Sequence, residues 1–245
     1  MPEPMSWPGY AAEQVRAAEA PLLARGEPLM QRAADALAAE VIDLLRAHGH
    51  PGAPLGDRVL VLVGPGNNGG DALFAAERLA HRGAHVVLQR LSGRAHEAGL
   101  AAALAAGARE GDPASLVADA RESAVMLDGI VGIGSGPALR GRGREAVAAL
   151  LPLLREQDAP LVVAVDLPSG IGADDGALAD GVVLPATLTV AFGALAIGVL
   201  RRPAADLVGP IRLVDVGLDL AGVRPSIEVA TDAVRPSTAV LGPER

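Results

Sequence analysis

Residues 59–80, VLVLVGPGNNGGDALFAAERLA, leave little choice of local structure. Five β-branched or leucine residues at 59–63 are interrupted by Gly64-Pro65-Gly66, after which apolar positions resume at Leu73, Ala76, Leu79 and Ala80. A short apolar run is a buried strand, the glycines mark a turn, and the three-to-four spacing marks a helix. At such a helix start, free backbone N–H groups carry partial positive charge, so the turn suits a phosphate or another oxygen-rich group.

The spacing Gly64-x-Gly66-x-x-Gly69 also satisfies the dinucleotide fingerprint of a Rossmann dehydrogenase, which needs an acidic residue about 20 positions further on. The next strand, over 85–88, ends instead in Gln89 and Arg90. That disfavours NAD and leaves Arg90 as a partner for a 2′-phosphate. Asn67, Asn68 and Asp71 place two amides and a carboxylate in the loop, and a carboxylate repels phosphate. The loop therefore reads as a site for polar groups or a cation beside the phosphates. The alternative is that Asp71 caps the helix and Asn67-Asn68 form the turn.

A chain of 245 residues fits one α/β domain, alone or with a small appendage. Aromatic residues make up 2% of it, so the core is built from Ala, Leu and Val, and a stacking platform for nucleic acid is not expected. The formal charge of −8 argues against nucleic acid and anionic membranes as partners. Cysteine is absent, which removes disulfides, thiolate catalysis and Cys-ligated zinc. All 21 basic residues are arginine, which excludes a Walker P-loop, a Schiff base and a lysine general base. No signal peptide is indicated, and a cytoplasmic location is expected. Residues 181–200 carry no charge, but Pro185, Thr187, Thr189 and Gly193 break the run, so it reads as a buried strand with a bend rather than a membrane span.

In chain order, helices are expected over 10–23 and 29–44 as an N-terminal extension, followed by the strand at 59–63 and its helix. His48 and His50 read as solvated loop residues. Strands are expected at 85–91, 124–128, 161–166, 188–192 and 211–216, with helices over 96–106 and 145–154 and none between the last two strands. This alternation gives an α/β fold, a Rossmann-like three-layer sandwich with a mostly parallel central sheet and helices on both faces. Residues 1–220 form the domain, and 221–245, with Pro225, Pro236 and Pro243, read as an appendage or linker.

Ligands of an open parallel sheet bind beyond the carboxyl ends of its strands. Asn68, Asp128, and Asp166 with Ser169 follow three such ends. One carboxylate among neutral oxygens suits a monovalent cation better than zinc. The alternative is that Asp128 and Asp166 cap helices or pair with an arginine such as Arg140.

The octapeptide from Gly64 to Asp71, then Leu127-Asp128-Gly129, then Val165-Asp166-Leu167-Pro168-Ser169-Gly170, resemble the YjeF N-terminal domain family of NAD(P)H-hydrate epimerases. Leu29-Met30, Arg32-Ala33, LTVAFGA and VGPIRLVDVGL extend the resemblance over nearly the whole chain. The resemblance implies interconversion of the R and S epimers of hydrated NADH and NADPH, so that an S-specific dehydratase, fused or separate, can use both. It implies a potassium ion held by Asn68, Asp128 and Ser169. Substrate contacts are implied for Asn67, Asn68, Gly69, Gly70, Asp71, Gly132, Ile133, Gly134, Ser135, Gly136, Pro137 and Ala138, together with Asp166. Inverting C6 of the nicotinamide ring requires an acid and a base, a role that falls to Asp166. A homodimer is the expected assembly.

The chain departs from the family pattern in four places. Gly136 and Pro137 stand where a loop Lys or Arg is usual, leaving Arg140 as the nearest base. Ala72 replaces a glycine, Gln31 an acidic residue, and Ala196 a lysine. The missing loop base motivates a second reading, a non-catalytic ligand-binding or scaffolding module. The glycine spacing with Arg90 motivates a third, an NADP-dependent oxidoreductase.

Overall fold

The computed structural model describes residues 5–134, 136 and 138–239. The elements in order are β1 Ser6–Tyr10, α1 Ala12–Ala24, α2 Leu29–Ala47, β2 Arg58–Val63, α3 Asn67–His81, β3 His85–Arg90, α4 Glu97–Ala105, β4 Arg109–Glu110, α5 Leu116–Arg121, β5 Val125–Gly129, α6 Gly141–Leu150, β6 Leu161–Val165, β7 Leu188–Phe192, β8 Leu195–Ala196, α7 Ile197–Leu200, β9 Ile211–Val214, β10 Ile227–Ala230 and β11 Val234–Pro236.

Eight strands form one sheet in the order β11-β9-β7-β6-β5-β2-β3-β4, and every pairing in it is parallel. The chain leaves β2 toward β3 and β4, then returns to the other side of β2 with β5 and continues outward. The order therefore reverses between β2 and β5, and the connections after these two strands diverge to opposite faces. That is where an open α/β sheet leaves a crevice.

Successive strand residues serve different layers, as the two-residue period of a strand dictates. Val59, Val61 and Val63 of β2 join the core formed with α2, α3 and α4. Leu60 and Leu62 join the one formed with α5 and α6. On the β7, β9 and β11 half, a second small sheet replaces helices on one face: β1 pairs antiparallel with β10 and parallel with β8. Trp7 and Leu195 of that sheet pack with Ala191, Ile211 and Val234 of the main sheet.

Several expectations change. The first helix starts at Ala12 rather than residue 10, because Tyr10 pairs with Ala196 and closes β1. The helix expected over 145–154 spans Gly141–Leu150, and the chain past Pro152 tightens into a 3₁₀ turn over Leu153–Arg155. The stretch read as a loop from Asn67 to Asp71 is the first turn of α3 itself. Its glycines allow α3 to seat on the preceding turn: a Cβ at Gly69 would lie 2.2 Å from the Gly64 carbonyl oxygen, and one at Gly64 would lie 1.8 Å from that of Ile130. The strands β1, β4, β8, β10 and β11 are too short or too exposed to show a pattern of their own, and their partners make them. A four-residue helix, α7, lies between β7 and β9, where none was expected.

Where the sequence reads as an appendage from residue 221 onward, the chain supplies a strand to each sheet, and Val234 is 4% exposed. Truncating the chain after Ala221 should lower the melting temperature by at least about 3 °C. Burial of one valine is worth about 1.5–3 kcal/mol, and each kcal/mol shifts a chain of this size by about 2–4 °C. An unchanged transition by circular dichroism would show that these strands contribute nothing to the fold.

Candidate functional site

Three connections converge at the strand ends around β2, β5 and β6. Asn68, in the first turn of α3, donates through Nδ2 to the carbonyl oxygens of Val131 at 3.1 Å and Val165 at 2.6 Å. Its Oδ1 faces Gly132, where an added Cβ would lie 2.2 Å away. Asp128, in β5, is fully buried. Its Oδ1 accepts from the Ser169 hydroxyl at 2.6 Å and the Ile130 N–H at 3.3 Å, and its Oδ2 accepts from the Ser169 N–H at 2.7 Å. The Val131 N–H donates to Ser169 Oγ at 3.3 Å. Asn68, Asp128 and Ser169 thus occupy one rim, linked through Val131. Burial lifts the Asp128 carboxyl to about 6, against the pull of its hydrogen bonds from Ser169 and Ile130.

Asp166 follows β6 with φ +70°, and no other described residue besides glycine has a positive φ. Its N–H donates to Val190 at 2.8 Å, and the Leu167 N–H donates back to the Val165 carbonyl at 2.9 Å, closing a three-residue turn around it. That conformation is strained for a residue with a side chain, and such strain collects at functional sites. The turn brings Asp166 to the wall of a cavity of about 430 Å³, with Asn67, Asn68, Asp71, Gly132, Ile133 and Gly134 among its other walls. Burial, and then the negative charge of Glu19, push the Asp166 carboxyl up to about 7, while the Phe192 N–H works the other way.

Asp71 is 8% exposed and accepts no hydrogen bond among the described residues. It lies inside α3, whose N-cap is Gly66, so it does not cap the helix. Burial, followed by the charges of Asp166 and Glu19, holds it well above the carboxylate range. Among the described residues neither Asp128 nor Asp166 pairs with an arginine.

Other expected contacts divide. Gly69 and Gly70 are not among the residues that line this cavity; they are buried, Gly69 against Gly64 and Gly70 against Met30. Gly136 and Ala138 line a neighbouring cavity of about 460 Å³ with Ser92 and Arg140, and it shares Pro65, Ile130 and Val131 with the first. Ser135 and Pro137 lie outside the described residues. Arg90 is committed to Glu110 at 2.9 Å, and His50 to Asp57 at 2.7 Å. Among the described residues no group of three or more His, Asp or Glu could hold a metal ion.

The sequence reading named no residue of α1 for the site. Arg16 donates to the Ile133 carbonyl at 3.2 Å, and Glu19 lines the cavity. A signal was present: Ala12, Val15 and Leu22 are the buried face of α1, and Glu19 falls on that stripe four residues after Val15 and three before Leu22. Burial raises its carboxyl, with Arg16 opposing.

The model of the YjeF-related protein N-terminus matches residues 26–198. This chain belongs to the YjeF N-terminal family. It is 53% identical over 229 residues to the NAD(P)H-hydrate epimerase of Clavibacter michiganensis, covering 91% of this chain and 96% of that one. It is 42% identical over 218 residues to the bifunctional NAD(P)H-hydrate repair enzyme of Mycobacterium tuberculosis, covering 86% of this chain and 42% of that one. The crystal structure of the yeast protein Ynu0 shares the fold, with a TM-score of 0.66 at 20% identity over 78% of this chain and 82% of that one. The matched family segment contains Asn68, Asp71, Asp128, Asp166 and Ser169 and begins after Glu19.

Asp71→Asn should raise the melting temperature more at pH 8 than at pH 5. The folded state holds the Asp71 proton more tightly than the unfolded chain does. Its stability is therefore greatest below the ordinary carboxylate range and is eroded as pH rises. The amide removes that erosion, and equal shifts at both pH values would contradict it.

Proposed function

We propose that this chain interconverts the R and S epimers of hydrated NADH and hydrated NADPH, as part of nicotinamide nucleotide repair. The similarity to the Clavibacter epimerase along nearly the whole of both chains supports the substrate. Asp166 carries the chemistry: its carboxyl faces the cavity and sits near neutrality, where a group both gives and takes a proton efficiently. The 430 Å³ cavity has room for the hydrated ring, and the neighbouring cavity, with Arg140 exposed at its edge, suits the phosphates.

The rim of Asn68, Asp128 and Ser169 fits a potassium ion. Asp128 is a fully buried carboxylate with no cationic side chain to balance it among the described residues; its partners are neutral, the Ser169 hydroxyl and the N–H groups of Ser169 and Ile130, and the Val131 and Val165 carbonyl oxygens lie on the same rim. When bound, the ion supplies a fixed positive charge that steadies the loops and the ligand's oxygens. Asn68 meanwhile ties the β5 and β6 ends together, and Ser169 orients the Asp128 carboxylate.

Gln31, standing where an acidic residue is usual, accepts from Arg78, and Ala196 lies in β8, away from both cavities. The expected partner is a dehydratase, as the bifunctional relative suggests, with a homodimer as the expected assembly. Among the described residues no helix is long and apolar enough to cross a membrane.

Proton NMR of mixed R and S hydrated NADH should show accelerated approach to epimeric equilibrium. Binding without acceleration would favour the non-catalytic module, and hydride transfer the oxidoreductase. Asp166→Asn should cut the rate at least about a hundredfold, since acid–base groups contribute about 10²–10⁴, with an unchanged circular dichroism spectrum. Full activity in that variant would remove Asp166 from the chemistry. Potassium, but not its absence, should raise the melting temperature of the wild type and leave Asp128→Asn unmoved; equal shifts in both would displace the ion from this rim.

A further inference from the structure

Epimerisation moves a hydroxyl from one face of a ring to the other, and a single carboxyl group on one side of the ring does not serve both faces. The charged groups that line the 430 Å³ cavity are Arg16 and Glu19 of α1, Asp71 of α3, and Asp166 at the end of β6. Arg16 is turned to the Ile133 carbonyl. Glu19 is half-buried and has no hydrogen-bond or ion-pair partner among the described residues, although it lies on the apolar stripe of its helix. Asp71, nine-tenths buried, is equally without a hydrogen bond. Two carboxyl groups on different walls of one cavity, neither hydrogen-bonded among the described residues, are available to a ligand.

We propose that Glu19 is the second acid–base group of the reaction, acting from the α1 wall on the ring face opposite the one served by Asp166. This rests on the epimerase reading. In the first half, one carboxylic acid gives its proton to the C6 hydroxyl as the C6–O bond breaks and water leaves, and the N1 lone pair forms the N1–C6 double bond. In the second half, water adds to C6 from the other face, the double-bond electrons return to N1, and the other carboxylate takes the released proton. The pair starts and ends with one proton between them, having exchanged roles. The field around the cavity suits this state: Asp71 and Asp166 are each raised by burial first and by the charge of Glu19 as well, and like charges so placed oppose joint ionisation.

The test compares the wild-type chain with Glu19→Gln, Glu19→Asp and, as a control, Glu13→Gln, an exposed carboxylate on the same helix. Glu19→Gln should lower kcat about a hundredfold with little change in KM and lose one limb of the pH profile. Glu19→Asp should recover part of the rate, and Glu13→Gln all of it. In carbon-13 titrations of the carboxyl groups, the Asp166 midpoint should fall in Glu19→Gln, because a charge that raises it is gone. In water enriched in oxygen-18, each inversion should bring one solvent oxygen into C6. Undiminished kcat in Glu19→Gln, an unmoved Asp166 midpoint, or retention of the original oxygen, as ring opening would give, each overturns the proposal. A wild-type chain that fails to accelerate epimerisation overturns the epimerase reading itself, whereas competent wild type with equally competent Glu19→Gln overturns only the role of Glu19.

Discussion

The site depends on one fully buried carboxylate. Asp128 accepts both the hydroxyl and the N–H of Ser169, and this pair of bonds fastens the connection after β6 to the end of β5. Because Ser169 Oγ also accepts the Val131 N–H, and the Val131 carbonyl accepts from Asn68, the connection after β2 is drawn into the same network. Removing a charge from water is expensive, and three hydrogen bonds offset only part of that cost, which is why the Asp128 carboxyl stays high. The network holds the loops in register while leaving an electrostatic demand that a cation can meet.

The parallel sheet explains why the network lies where it does. Strand order reverses between β2 and β5, so the chain departs to opposite faces from adjacent strand ends. The gap is then narrowed until backbone meets backbone, with Gly64 so close to the Ile130 carbonyl that no side chain fits. On the β6 side the chain must turn at once to reach Ser169, and it does so through the left-handed conformation of Asp166. Strain is tolerated there because neighbours on both sides are fixed: Val190 anchors the Asp166 N–H, and Ser169 is tied to Asp128. The same turn puts a carboxyl group on the wall of a cavity that shields it from water.

Membership of the YjeF N-terminal family was legible before any coordinates, because the loops that carry it are short, glycine-spaced and rich in amides and carboxylates. The strands β2, β3, β5, β6, β7 and β9 were legible for the same kind of reason, each being an apolar run long enough to declare its period. The small sheet was not. Its strands span two to five residues and its partners, near residues 8, 195 and 228, are far apart in the chain.

The sequence by itself determined the alternation of strands and helices, the acidic, lysine-free and cysteine-free chemistry, and the three polar loops at strand ends. Those properties reside in local spacing and composition. Only the tertiary structure decided that Gly69 and Gly70 are packed against Gly64 and Met30, that residues 227–236 complete both sheets, and that Glu19 joins Asp71 and Asp166 around one cavity. The reason is physical. Burial, close approach and the interaction of like charges depend on distances between residues remote in sequence, and a helix position that looks like a misplaced carboxylate acquires its meaning from the wall it faces.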